Sequence, residues 1–318
     1  MDTSGACAFC GGGPLAPWKP GEPAVRRCPA CGGASLHPLP KAEAQAELYQ
    51  EAYYEEGTGD RFLGLVDTVV VALKAFRYRA IAARCAGPGA VLDVGCGRGD
   101  LLEQFRARGW RALGTQVSRT AAEAARRRRG LAVVVGELPK LGLAPGSFDV
   151  ITIFHVLEHL PEPAVYLACA RDLLAEDGLL VVEVPNFRTW GFALLGRRNL
   201  CFDPPHHLHF LTPPALAALL ERSGFRVEGR TFHSIEYSAF TTLQNWLNLL
   251  PGRPNRFYLA LMGNPAGLAL RRSPWTWAHA LLACALAPLA VLASLPGAVL
   301  PLGNTMRCYC RKETKINS

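Results

Sequence analysis

Four cysteines and three closely spaced histidines are the residues whose chemistry is most constrained by spacing. Cys7-x-x-Cys10 and Cys28-x-x-Cys31 form two pairs, each followed by glycines (Gly11 to Gly13, and Gly32-Gly33). Glycine lets a backbone fold tightly around a metal-bound sulfur. Four thiolates make a closed tetrahedral zinc site, so the expected ion is structural Zn2+ and leaves no position to activate water. Farther on, Asp203-Pro204-Pro205-His206-His207-Leu208-His209-Phe210 carries three histidines in four residues. Histidine titrates near neutrality and could serve as a general base for a hydroxyl or an activated carbon. The same segment also reads as a loop with one capping and two packing histidines. A metal on His206, His207 and His209 lacks an obvious neighbouring acid.

The chain has 318 residues, enough for about two domains, and a formal net charge of +8. From Tyr237 to Lys312 there is no acid, while Arg253, Arg256, Arg271, Arg272, Arg307, Arg311 and Lys312 are all basic. The remainder is near neutral. A positive, acid-free, apolar segment suits the surface of an anionic membrane; it also fits a buried apolar subdomain with solvated arginines. The opening MDTSGACAFCGGG has neither a basic nor an apolar region and predicts no secretory signal. The eleven cysteines then predict reduced thiols and metal ligation. Arg126-Arg127-Arg128-Arg129 ends a helical stretch, either as a solvated terminus that complements the helix dipole or as a nucleic-acid contact.

Strands and helices must position these residues. The stretch from Lys41 to about Cys85 reads helical, until Gly87-Pro88-Gly89 breaks it. Short apolar strands follow at Ala90–Val94, Trp110–Gly114, Leu131–Val135, Phe148–Phe154, Gly178–Val184 and Phe225–Phe232. Helices at Asp100–Arg108, Arg119–Arg129, Glu162–Ala175 and Pro213–Ser223 lie between them. Continuous apolar strands alternating with helices predict a parallel sheet covered on both faces. Asp93-Val94-Gly95-Cys96-Gly97-Arg98-Gly99 joins the first strand to the first helix. Its glycines permit close backbone approach to a ligand, and an acid two residues before the first glycine favours a cationic ligand over a pyrophosphate.

Taken in order, DVGCGRG, LGTQVS, PGSFDVITIFHVLEHL, GLLVVEVPN and GNTMRCYCRK resemble the class I S-adenosylmethionine-dependent methyltransferases over about half the chain. The resemblance implies an α/β, Rossmann-like, doubly wound sheet, mostly parallel with an antiparallel last strand. A small N-terminal zinc ribbon and an apolar helical insertion are added to it. It implies S-adenosylmethionine bound by Asp93, Gly95, Cys96, Gly97 and Gly99. Gln116 stands where the family places an acid on the ribose hydroxyls, and Glu137-Leu138 where it reads the adenine. Ligands of such sheets bind at the carboxyl ends of the strands, which places Phe154, His155, Glu158 and His159 near the methyl group. His155, His206, His207 and His209 are the candidate catalytic residues. The expected domains are a ribbon (1–40), a helical linker or lid (41–88), the methyltransferase (89–236 and 305–314) and the insertion (237–304).

The insertion contains AHALLACALAPLAVLASLPGAVLPLG, which has no charged residue. It lies between two strands that must pair in one sheet, so the chain returns to the side it left and a single membrane crossing is excluded. Pro288, Pro296 and Pro301 are expected to break the run, and Trp246, Tyr258, Trp275 and Trp277 could anchor at an interface. The expected enzyme is a methyltransferase acting on an oxygen or carbon of a lipid, quinone or lipid-linked sugar. Its expected location is cytoplasmic and peripheral on the inner face of a membrane. A zinc-ribbon RNA methyltransferase is the alternative.

Overall fold

A computed structural model describes residues 5–18, 24–40, 64–235, 237–262 and 265–313. The helix-prone AEAQAELYQEAYY stretch lies outside them.

A seven-stranded sheet organises the chain, in the order β10-β11-β8-β7-β4-β5-β6. Its strands are β4 (Ala90–Val94), β5 (Arg111–Gln116), β6 (Ala132–Val135), β7 (Phe148–Phe154), β8 (Leu174–Pro185), β10 (Phe225–Thr231) and β11 (Thr305–Lys312). β4 pairs in parallel with β5 and β7, β5 with β6, and β7 with β8. β11 runs antiparallel between β8 and β10. β8 starts earlier than the expected Gly178, because Leu174 is already buried and pairs with Phe148.

Alternation along the strands divides the core in two. Leu92, Ile151, Ile153, Leu180, Val182, Cys308 and Cys310 pack on one face, and Val91, Val150, Leu179, Val181 and Tyr309 on the other. The second face also receives Ile81 of α1 (Gly64–Ala82). Glu183 and Arg307 share the parity of Val181 and Tyr309 and are registered directly opposite one another across β8 and β11.

The cysteine-rich segment does not close on itself. β1 (Ala16–Pro17), β2 (Val25–Arg27) and β3 (Ala34–Leu36) are completed by β9 (His209–Phe210), which comes from the histidine segment. Ala34 pairs with Phe210 and Ser35 with His209.

The insertion packs α2 (Ser238–Leu247) against α3 (Pro274–Ser294), with Leu243, Leu247, Ala283 and Ala290 at the contact. Pro288 does not break the run, contrary to expectation, because α3 continues through it for 21 residues. Proline removes one ladder hydrogen bond and crowds the preceding turn. The packed small residues Ala283 and Ala290 flank that position and hold the helix together. The helix ends at Leu295-Pro296-Gly297, where the Gly297 carbonyl accepts from Phe232 N–H at 3.1 Å. Both ends of the insertion are thus tied to the same sheet. α3 with its terminal turn is long and apolar enough to cross a membrane by length and composition alone. Trp275, Trp277, Leu281 and Leu292 on it, and Val299 just after it, are exposed.

Candidate active site

The glycine loop leaves β4 with Gly95, Gly97 and Gly99 all at left-handed φ (+67°, +54° and +77°). A side chain at Gly95 would strike Val156, whereas one at Gly97 would meet nothing within 4 Å. Gly97 therefore offers bare backbone to open space, as a cradle for a closely approaching ligand requires. Cys96, within the loop, is buried, and burial pushes its thiol up.

Asp93 is 5% exposed and accepts a hydrogen bond from Thr152 Oγ1 at 2.6 Å. Burial raises its carboxyl to about 6, against the lowering effects of Thr152 and Arg77. A buried acid of this kind is stabilised in its charged form by a cation. Gln116 is buried at the end of β5, and its Oε1 accepts from Val117 N–H at 2.8 Å. Glu137 pairs with Lys140 at 2.8 Å, and Leu138 is buried in the core. The carboxyl ends of β4, β5, β6 and β7 are adjacent in the sheet. The loop, the buried acid and these strand ends suit a cationic nucleoside cofactor.

At the end of β7, Phe154 lies under the Arg77 guanidinium, 4.2 Å from the ring centre. His155 follows with φ +54°. A residue with a side chain held there marks a conformation fixed by its surroundings. Its Nε2 is 3.2 Å from Glu183 Oε1 and its Nδ1 3.4 Å from Glu158 Oε1. Carboxylates only accept, so both ring nitrogens must carry protons. Burial alone would lower the His155 pKa, but Glu158 and Glu183 hold it well above the usual range. Glu183 also binds Arg77 at 2.9 Å and Arg307 at 2.6 Å. Burial disfavours its charge, and Arg307 and then Arg77 more than reverse that, so it stays ionised. Tyr237, at the start of the insertion, packs edge-on against His155 with ring centres 4.8 Å apart.

The histidine segment divides. His206 Nδ1 lies 3.2 Å from Asp203, which raises its pKa. His159 Nδ1 faces the His206 carbonyl and His207 Nδ1 the Cys201 carbonyl, both at 2.9 Å. A carbonyl only accepts, so each Nδ1 donates. Burial lowers His159 to about 4. The His159 and His207 rings meet with centres 4.7 Å apart. His209 turns the other way: it is buried, its Nδ1 is 2.8 Å from Ser35 Oγ, and it packs on Phe9. The structure thus sets the His206 carbonyl and the His207 ring against His159, just beyond His155, turns the His206 ring to Asp203, and places His209 in the ribbon joint.

Spacing alone did not single out Arg77, Glu183, Arg307 or Tyr237. The signal was a charge inside each of two apolar strands, GLLVVEVPN and TMRCYCRK.

Cys7, Cys10, Cys28 and Cys31 place their sulfurs within 4.8 Å of one another. Cys7 and Cys31, and Cys10 and Cys28, are 3.6 Å apart, close to the ~3.8 Å edge of a tetrahedron with Zn–S of about 2.3 Å. Both pairs form the same knuckle. Gly11 N–H donates to Cys7 O and Gly32 N–H to Cys28 O, with both glycines at left-handed φ. The donor set fits zinc, with no open position.

Parallel strands with an antiparallel β11, a glycine loop and a buried acid define the S-adenosylmethionine-dependent methyltransferase class. Residues 72–229 match the family described as "Methyltransferase domain". The chain is similar to the ubiquinone biosynthesis O-methyltransferase of Ralstonia nicotianae, 31% identical over 163 residues. That match covers 48% of this chain and 68% of the relative. Its counterpart in Xanthomonas campestris pv. campestris is 32% identical over 170 residues, covering 49% and 71%. A SAM-dependent methyltransferase structure from Archaeoglobus fulgidus covers 76% of this chain and 94% of its own, at 20% identity and TM-score 0.49. The chain belongs to the class I S-adenosylmethionine-dependent methyltransferases, and its cofactor is S-adenosylmethionine.

Proposed function

We propose that the protein methylates an oxygen of a quinone-type or other lipid-linked small molecule presented at a membrane surface. One observation carries the reading. The acid-free insertion begins at Tyr237, against His155 at the strand exit, and exposes Trp275, Trp277 and Leu281. The wall of the acceptor side thus continues into an apolar, positively charged surface. The names of the 31–32% identical relatives support a quinone-type acceptor, and an aromatic hydroxyl is the matching nucleophile. The same surface supports peripheral attachment on the cytoplasmic face.

S-adenosylmethionine, when bound, supplies an electrophilic methyl group on a sulfonium. The remaining chemistry is positioning. Asp93 and the bare backbone at Gly97 hold the cationic cofactor, with Gly95, Cys96 and Gly99 shaping the loop. Gln116, Glu137 and Leu138 border the nucleoside end. Phe154, roofed by Arg77, excludes water from the methyl side. The two carboxylates beside His155 favour its protonated form, which suits a buried positive charge packed on Tyr237 better than a general base. We assign the proton leaving an acceptor hydroxyl to His206, whose partner Asp203 keeps it basic. His207 orders the segment around it.

An RNA acceptor has less support. Arg126 is bonded to the Val133 carbonyl and Arg129 to Asp100, so the basic run is partly engaged within the fold. The test is transfer of radiolabel from methyl-labelled S-adenosylmethionine into extracts. Label in the organic phase of membranes supports the reading, whereas label in RNA overturns it.

A further inference from the structure

We propose that the cysteine ribbon is a positioning element of the acceptor side, and that its metal-loaded fold holds the histidine segment at the β7 exit. This rests on the methyltransferase assignment and not on the identity of the acceptor.

The contacts run in an unbroken series. The second knuckle, Cys28 to Cys31, leads within three residues to β3. β3 lies between β2 and the added strand His209-Phe210, and Leu36 N–H donates to the Leu208 carbonyl at 2.9 Å. Ser35 Oγ holds His209 Nδ1 at 2.8 Å, and Phe9, between the first two cysteines, packs on the same imidazole. Thr212 Oγ1 donates to the Cys31 carbonyl at 2.6 Å while capping the following helix, Pro213–Arg222. On the far side, Leu208 N–H donates to the Glu158 carbonyl at 2.8 Å, and the His206 carbonyl holds His159. A metal-bound knuckle and the His155–Glu158–His159 turn thus grip opposite sides of one short segment.

The ribbon has little else to hold it in shape. Its own strands are two or three residues long. A unit of that size cannot bury enough apolar surface to fold unaided, and metal binding supplies its folding free energy. Cys7, Cys28 and Cys31 are buried in the same apolar cluster as Leu211, Ala215 and Leu219 of the catalytic domain. A methyl group at Gly33 would strike both Ala215 and Phe9 at 2.7 Å. The ribbon face that meets the enzyme is therefore a fitted joint. The cofactor loop and the ends of β5 and β6 make no contact in this series.

The test is hydrogen exchange read by mass spectrometry on the full-length protein. Zinc-loaded protein is compared with protein stripped by a mercurial and chelator, and both are titrated calorimetrically with S-adenosylmethionine. Metal loss is expected to speed exchange about tenfold or more in peptides spanning 24–37 and 201–212. Peptides spanning 90–118 and the cofactor Kd stay within about twofold. Faster exchange confined to the ribbon would show an independent module and overturn the proposal. Faster exchange across the sheet with loss of cofactor binding would show a general stabiliser and overturn it as well. Ser35→Ala, with zinc content verified, addresses the joint without disturbing the metal. Faster exchange at Leu208 and His209 is expected, and unchanged protection there would contradict the proposal. If the acceptor class is wrong, none of these readouts changes.

Discussion

The cofactor half and the acceptor half of this site are built on different plans. The cofactor half comes from one continuous stretch, β4 through β7, with its acid and glycines within seven residues. The acceptor half assembles the ribbon (7–36), the β7 exit (155–159), the histidine segment (201–212) and the first residues of the insertion. A buried ion cluster joins the two, with Glu183 gripped by Arg77, Arg307 and His155. A ligand common to a whole family can be held by a local loop. A ligand peculiar to one protein needs a wall, and in the proposed function that wall is made from added segments pinned to a shared sheet.

The largest expected effect falls on that junction. Glu183→Ala leaves two arginines and an imidazolium without their carboxylate, and should cost about 3–5 kcal/mol, as breaking a buried ion pair does. Urea unfolding measures it, and a loss below 1 kcal/mol would show that the cluster is solvated. On the acceptor side, replacing Trp275 and Trp277 together with serine should cut pelleting on anionic liposomes by about tenfold or more, leaving cofactor affinity unchanged. Equal pelleting of variant and parent would detach the insertion from lipid.

On the cofactor side, Asp93→Ala should weaken S-adenosylmethionine binding about tenfold, roughly 1.4 kcal/mol, as read by calorimetry. The same group sets a pH dependence. With its folded pKa raised to about 6, Asp93 becomes neutral as pH falls through that value, so affinity for a cation should decline below about pH 6. Without ligand the sign reverses. The raised pKa stabilises the fold below the unfolded value near 3.8, and that gain is lost as pH rises through about 6. Asp93→Asn should flatten both profiles. The smallest effect belongs to neither half. Arg127→Ala removes an exposed pair with Glu123 at 3.2 Å and should change stability by less than about 0.5 kcal/mol.

The cofactor half was legible in the sequence because its logic is local. DVGCGRG states the turn, the acid and the helix start together, and apolar runs fix the neighbouring strands to within a few residues. The clustering of the ribbon's four cysteines was legible for the same reason. Its docking was not: His209-Phe210 read as a loop, and only tertiary pairing with Ala34 and Ser35 makes it a strand. Glu183 and Arg307 are 124 residues apart, and their meeting depends on how β11 is inserted beside β8. The continuity of α3 through Pro288 was likewise decided by packing, which local propensity does not encode.

The most direct test is a crystal structure of the full-length protein with S-adenosylhomocysteine. The ligand should lie across the carboxyl ends of β4, β5 and β6, with Gly97 against it. Its sulfur should face Phe154, His155 and Tyr237, and the ribbon should remain docked on His209. A ligand bound elsewhere, or a sulfur turned away from the His155–Tyr237 side, would contradict it.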